Sequence, residues 1–353
     1  MMGENKLDVK DFLIDENCTL IEAMALLDKV AKKVLFVIRE GFFVATVTDG
    51  DIRRWILKKG DLEAKVKNLA NYEPKFLFES EKGRAKAFML NNSIEAVPIV
   101  NEKNEIIRIV FSNNEKVEKK RKLSIPVVIM AGGLGTRLYP YTKILPKPLI
   151  PIGEIPIAEH IINRFYNNGC RDFYLILNYK RNMIKAYFND LDKNYQLNYI
   201  DEEQPLGTGG GLSLLKGQIH STFILSNCDI LIDEDYQKIC SFHEYNHNFI
   251  TMVCSLKRIK IPYGVVEICE TGEIENMKEK PELSFFINTG MYIVDKNVIE
   301  EIEENIEIGF PDIIDKYRKA GKKIGIYPIS ENSWMDMGQL DEIEKMRKRL
   351  EVN

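Results

Sequence analysis

Residues 124–151 read SIPVVIMAGGLGTRLYPYTKILPKPLIP, and the break in the middle of this segment limits the folds open to the chain. Residues 125–131 form a short uninterrupted apolar run, the pattern of a strand buried on both faces. The run stops in a glycine-rich loop, Gly132-Gly133-Leu134-Gly135-Thr136-Arg137, and a second cation, Lys147, follows between prolines. Glycines let the backbone approach an anion closely and let several N–H groups point at it together. Arg137 and Lys147 are placed to neutralise a polyphosphate.

Two commoner phosphate loops are excluded. The Walker pattern G-x-x-x-x-G-K-[ST] is absent, and Leu138 stands where a dinucleotide fingerprint needs its third glycine. The whole segment, G-G-x-G-T-R-L and then P-K-P-L, resembles the sugar-nucleotide pyrophosphorylases. These join a nucleoside triphosphate to a sugar 1-phosphate and release pyrophosphate. The resemblance implies an α/β fold with a mostly parallel, Rossmann-like (GT-A-like) sheet. It places Ala131, Gly132, Gly133, Gly135, Thr136, Arg137 and Lys147 on the nucleotide, with Arg137 and Lys147 catalytic.

Residues 125–353 carry the alternation such a sheet needs. Strands are expected at 125–131, 172–177, 195–200, 222–225 and 249–255, and helices at 155–167, 181–188, between 200 and 222, 235–247 and 339–350. Ligands in such sheets sit at the carboxyl ends of strands. The glycine loop, residues 202–211 and Asn227-Cys228-Asp229 all fall at such ends.

The same resemblance assigns the remaining candidates. Asp229 follows an apolar strand and Asp336 lies in Trp334-Met335-Asp336-Met337-Gly338; both are the implied Mg2+ carboxylates, against the plain alternative that each forms a turn. Glu202, Gly207 and Thr208 belong to EEQPLGTGGG, similar to the base-recognition loop, with glycine at Gly209 where alanine is common. Those glycines are expected to free backbone groups for the base, and Thr208 to cap the next helix. The sugar phosphate is assigned to Asn227, Gly264, Glu279, Lys280 and Asn288.

Residues 1–118 form a separate unit, joined to residues 125–353 by a linker over 119–124 that overlaps the charged run 116–122. An order of helix, two strands and turn occurs twice. This resembles a tandem pair of CBS modules, a smaller α+β regulatory domain. Thr48 and Asp51 match its S/T-x-x-D element, which implies an adenine nucleotide, while Phe111-Ser112-Asn113-Asn114 lacks the aspartate. The alternative is that Asp51 caps a helix starting at Ile52. Such pairs associate face to face, so a homo-oligomer is expected.

At 353 residues two domains are natural. A net charge of −4 gives no pull toward nucleic acid or an anionic membrane. The six cysteines form no C-x-x-C pair, and no segment reaches the length of a membrane span, so a cytoplasmic protein is expected. His243-Glu244-Tyr245-Asn246-His247 fits the zincin pattern H-E-x-x-H. A crossover helix with Phe242 and Tyr245 as its apolar contacts is the reading preferred here. No hexapeptide repeats follow Asp336, so an acetyltransferase half is not expected.

A CBS pair joined to a transferase resembles the guanylyltransferases of bacterial legionaminic acid biosynthesis. These make GDP-glucosamine from GTP and glucosamine 1-phosphate. Mannose 1-phosphate with GTP, and glucose 1-phosphate with another base, remain open, as does an inactive nucleotide-sensing protein.

Overall fold

The structure is a computed structural model that describes residues 8–30, 32–58, 60–92, 94–111 and 123–351. The chain divides into two compact units, Met1–Glu118 and Lys119–Asn353. Ser112-Asn113-Asn114, the charged run 116–122 and positions 119–122 of the expected linker lie outside the described residues.

The first unit contains two three-stranded sheets built alike. Leu13–Asp15, Val34–Arg39 and Phe42–Thr48 form one, and Leu77–Phe78, Ala96–Val100 and Ile106–Phe111 the other. In each, the first pair is parallel and the second antiparallel. A parallel pair needs a crossover, and the helices Leu20–Val30 and Ala85–Asn92 supply it. The halves are joined where Phe43 N–H donates to Asn104 O at 2.9 Å and Phe12 meets Phe111 with ring centroids 4.9 Å apart.

The first helix opens on a reciprocal cap. Glu22 N–H donates to Thr19 Oγ1 at 3.2 Å and Thr19 N–H donates to Glu22 Oε2 at 2.7 Å. The helix expected from Ile52 starts earlier, as Asp49–Leu57, because Thr48 and Asp51 form the same box three residues upstream.

The second unit is built on a seven-stranded mixed sheet. Its order is Gln196–Asp201, Asp172–Leu177, Val127–Met130, Phe223–Asn227, Glu282–Val294, Ile250–Lys260 and Ile324–Ile329. All strands run one way except Glu282–Val294, which is antiparallel to both neighbours. The uninterrupted apolar run has a direct cause. Val127 and Ile129 face a core that holds Ile161, Phe165, Ile184 and Phe188, while Val128 and Met130 face another that holds Phe310, Ile313 and Tyr317. Both faces of the sheet are covered, so every position of Val127–Met130 is buried and apolar.

Two local expectations change. The helix foreseen between 200 and 222 is a single turn, Gly207–Gly210, followed by the 3-10 turn Gly211–Leu215; consecutive glycines make a longer helix costly. Ile250–Lys260 and Glu282–Val294 run past the core as a paired extension, and beyond it Val265–Ile268 and Ile274–Lys278 form an exposed hairpin. No helix among the described residues is long and apolar enough to cross a membrane.

Candidate active site

The glycine loop continues directly from the central strand, with Ala131 N–H donating to Ile176 O at 2.9 Å. Gly135 adopts φ 65°, and a Cβ there would stand 2.9 Å from Thr142 Cγ2 and 3.2 Å from Lys147 Cβ. Only glycine fits that place in that conformation. Thr142 is fully buried and its hydroxyl donates to Gly135 O at 2.8 Å. Tyr179 OH donates to Thr142 O at 3.1 Å, and Lys180 Nζ donates to Lys143 O at 2.5 Å and Ile144 O at 2.6 Å. The loop carrying Lys147 is thereby clamped to the turn after Asp172–Leu177. Sequence reading missed Thr142, Tyr179 and Lys180, because their partners are backbone carbonyls that carry no residue signature.

Two cavities open at the carboxyl ends of the strands. The larger, about 350 Å³, is lined by the glycine loop, Lys147, Glu202, Gly207 and Glu307. The smaller, about 220 Å³, is lined by Asn288, Tyr292, Phe310, Trp334 and Asp336. Arg137, Thr208, Asn227 and Asp229 line both, so the cavities meet at these four side chains.

Lys147 and Asp229 form an ion pair at this junction, each side chain 15% exposed. Burial works against the Lys147 ammonium, but the Asp229 carboxylate outweighs it and the lysine is held above its usual range. Ile230–Ile232 pairs antiparallel with Trp334–Asp336, setting Ile230 opposite Asp336, and Met337 N–H donates to Asp229 O at 2.8 Å. That small ladder brings the second carboxylate beside the first. Burial, and next the Asp229 charge, raise the Asp336 carboxyl above its ordinary value. No cluster of three or more His, Cys, Asp or Glu side chains suited to a metal occurs among the described residues. Two carboxylates with room for phosphate oxygens suit Mg2+, which keeps few protein ligands.

Glu202 is 5% exposed, and burial pushes its carboxyl up to about 7. Its Oε1 is buried without a hydrogen-bond partner and stands 2.3 Å from where a Cβ on Gly211 would be. The expectation that the following glycines free their N–H groups for a base is corrected. Gly209 and Gly210 N–H donate to Ile308 O at 2.9 and 3.2 Å. A Cβ on Gly210 would stand 2.1 Å from Ile306 O, so these glycines admit a neighbouring backbone. Thr208 does not cap the next helix; its Oγ1 accepts from Phe310 N–H at 3.1 Å, 102 residues away.

Residues 126–352 match the model of the Nucleotidyl transferase family. The chain belongs to this family. A mannose-1-phosphate guanylyltransferase of Mycobacterium tuberculosis is 32% identical over 221 residues, 61% of this chain and 61% of that protein. The bifunctional protein GlmU of Methanococcus maripaludis is 31% identical over 222 residues, 60% of this chain and 51% of that one. The chain thus spans about half to three fifths of the length of these curated relatives. HddC from Yersinia pseudotuberculosis, solved as a complex with GMP-PN, superposes with a TM-score of 0.51 at 25% identity, over 64% of this chain and 99% of its own.

In this nucleotidyl transferase the sugar-side candidates fall into two groups. Asn227 and Asn288 line the smaller cavity. Gly290, at φ 86°, lets Asn227 in: a Cβ there would stand 2.4 Å from Asn227 Nδ2. Gly264, Glu279 and Lys280 instead meet at the base of the exposed hairpin. Lys280 N–H donates to Tyr263 O at 3.2 Å, and Glu279 Oε2 is 3.0 Å from the Cβ position of Gly264. Neither cavity is lined by these three residues.

The zincin alternative fails on geometry. The helix Tyr236–Tyr245 ends before His247, which is exposed at φ 49°. His243 is buried with its Nδ1 2.9 Å from Thr251 Oγ1, and burial lowers its pKa. Phe242 makes the expected apolar contact, with Tyr327, but Tyr245 is 85% exposed. In the first unit, Thr48 Oγ1 and Asp51 Oδ2 are 2.6 Å apart within their cap, and Arg54 pairs with Asp51.

Proposed function

We propose that this nucleotidyl transferase joins GTP to a sugar 1-phosphate and releases pyrophosphate. The observation that carries the reading is the junction of two cavities at Arg137, Thr208, Asn227 and Asp229, with Lys147 paired to Asp229. The nucleotide belongs in the larger cavity and the phosphorylated sugar in the smaller. An oxygen of the sugar phosphate bonds to the α-phosphorus, the bond from that phosphorus to the leaving oxygen breaks, and pyrophosphate departs. The attacking oxygen is already anionic, so no general base is needed; positioning and charge neutralisation suffice.

Arg137 and the N–H groups of the glycine loop hold the leaving pyrophosphate. Lys147 neutralises charge at the α-phosphate. Asn227 and Asn288 meet the sugar phosphate; Gly264, Glu279 and Lys280 line neither cavity, and their assignment to the sugar phosphate requires the hairpin to approach the smaller cavity when substrate binds. Asp229 and Asp336 are the carboxylates that would hold Mg2+, whose charge offsets repulsion between two polyanions.

Glu202 supports guanine. In its ionised form the Glu202 carboxylate is an acceptor-only fork, and guanine offers two adjacent donors, N1–H and N2–H. The names of the mannose-1-phosphate guanylyltransferase relatives and the GMP-PN in HddC point the same way. For the sugar, the CBS-plus-transferase arrangement favours glucosamine 1-phosphate and a place in legionaminic acid biosynthesis. The names of the relatives favour a second reading, mannose 1-phosphate. The first unit is read as a CBS pair that takes an adenine nucleotide at Thr48 and Asp51 and supports a homo-oligomer.

The test is pyrophosphate release with Mg2+ across four nucleoside triphosphates and a panel of sugar 1-phosphates, with and without adenine nucleotides. Release that requires GTP and glucosamine 1-phosphate supports the first reading, and release with mannose 1-phosphate the second. Silence with every pair leaves a regulatory protein.

A further inference from the structure

Thr208 stands where the two cavities meet, and its hydroxyl is already committed. The helix Phe310–Lys319 has Gly309 at its N-cap, with no side-chain acceptor there. The first turn of a helix leaves N–H groups without partners. The Phe310 N–H finds one in Thr208 Oγ1 at 3.1 Å. Around that bond the backbones are locked: Ile308 N–H donates to Leu206 O at 3.0 Å, while Ile308 O accepts from Gly209 and Gly210.

Phe310 in turn shapes the smaller cavity. Its ring packs on Tyr292 with centroids 4.5 Å apart, and Tyr292 OH accepts from Asn288 Nδ2 at 2.6 Å. A continuous set of contacts therefore runs from Thr208 through Phe310 and Tyr292 to Asn288.

We propose that Thr208 is a positioning residue that ties the nucleotide loop to the wall of the sugar cavity, so that its loss shows first in binding of the sugar 1-phosphate. This rests on the two-cavity reading above. Thr208→Val keeps the shape and removes the acceptor, leaving Phe310 N–H unpaired inside the fold. Thr208→Ser keeps the acceptor. Phe310→Leu keeps the backbone bond and removes the ring that holds Tyr292.

The experiment is steady-state kinetics of the full chain with GTP and the sugar 1-phosphate that supports release. Thr208→Val is expected to raise the KM for the sugar 1-phosphate about tenfold while that for GTP changes less than about twofold. Phe310→Leu should show the same split, and Thr208→Ser should stay near wild type. A rise in the GTP KM alone, or a serine variant as poor as valine, overturns the proposal.

Hydrogen exchange separates this outcome from a failure of the functional reading. If no substrate pair releases pyrophosphate, exchange over residues 306–312 of the full chain still reports the cap. Faster exchange in Thr208→Val than in Thr208→Ser supports it, and equal protection overturns it.

Discussion

The Lys147 ammonium is paired with the Asp229 carboxylate, 82 residues away, at the point where the two cavities join. The cation assigned to the triphosphate and the carboxylate assigned to the metal thus neutralise one another when neither ligand is present. Removing either partner leaves a largely buried charge without its counterpart. Lys147→Ala and Asp229→Asn are each expected to lower kcat at least about a hundredfold, as loss of one preorganised charged group does. The double variant should fall by much less than the product of the two, since the residues act as a unit. Near-normal turnover in either single variant removes that residue from the chemistry.

Glu202 gives a pH signature of defined sign. Burial pushes its folded carboxyl up to about 7 from an ordinary 4.5. Its protonated form stabilises the fold below the lower value, and that contribution is lost as pH rises through the upper one. Guanine binding needs the opposite, charged form, so the KM for GTP should fall as pH rises through about 7. Glu202→Gln should flatten both profiles and erode discrimination for GTP. A GTP KM that does not change between pH 6 and 8, as measured on the wild type, contradicts the role.

Gly209 and Gly210 should respond differently to alanine. At Gly210 the new Cβ would meet the Ile306 backbone carbonyl at 2.1 Å, which cannot yield without moving the segment against the loop. At Gly209 the nearest atom, at 2.5 Å, is the end of the Ile313 side chain, with the Phe310 N and Gly309 C backbone atoms next at 3.0 and 3.1 Å. Gly210→Ala is expected to destabilise by more than about 2 kcal/mol and Gly209→Ala by less, about 1 to 2 kcal/mol. Ile313→Val should recover part of the Gly209→Ala loss, as read from urea midpoints. Equal midpoints for the two alanine variants would show that the close approach is not a constraint.

Asp336 should matter for the metal more than for the nucleotide. Asp336→Asn is expected to raise the Mg2+ or Mn2+ concentration needed for half-maximal turnover by roughly tenfold or more. Binding of GTP in the absence of metal should change little, or tighten as negative charge is removed. An unchanged metal requirement would leave Asp336 with a structural role in its ladder to Ile230.

The order of strand, loop and helix was legible because each buried element carries its own pattern. Residues 127–130 are apolar at every position, since both sheet faces are covered, while along Phe42–Thr48 it is burial that alternates, because one face is only partly covered. The glycine loop and Asp229 could be picked out as residue types at strand ends, while Glu202 and Asp336 were assigned through the resemblance to the sugar-nucleotide pyrophosphorylases. Glycine, however, has several uses that look alike in a string of letters. Gly209 and Gly210 resembled a nucleotide contact and serve to admit residues 306–310. His243 and His247 kept the spacing of a metal pair, but the helix ends between them.

By itself the sequence determined what is encoded locally: two units, the runs that become buried strands, and the loops that carry charge. Only the tertiary structure decided which distant groups share a charge or a hydrogen bond. It paired Lys147 with Asp229, set Asp336 beside them through Ile230, and gave Thr208 to the amide of Phe310. Those contacts join residues about a hundred positions apart, and periodicity and composition act over a few turns of chain. The sheet order, set by how the apolar faces pack together, is what brings such positions within reach.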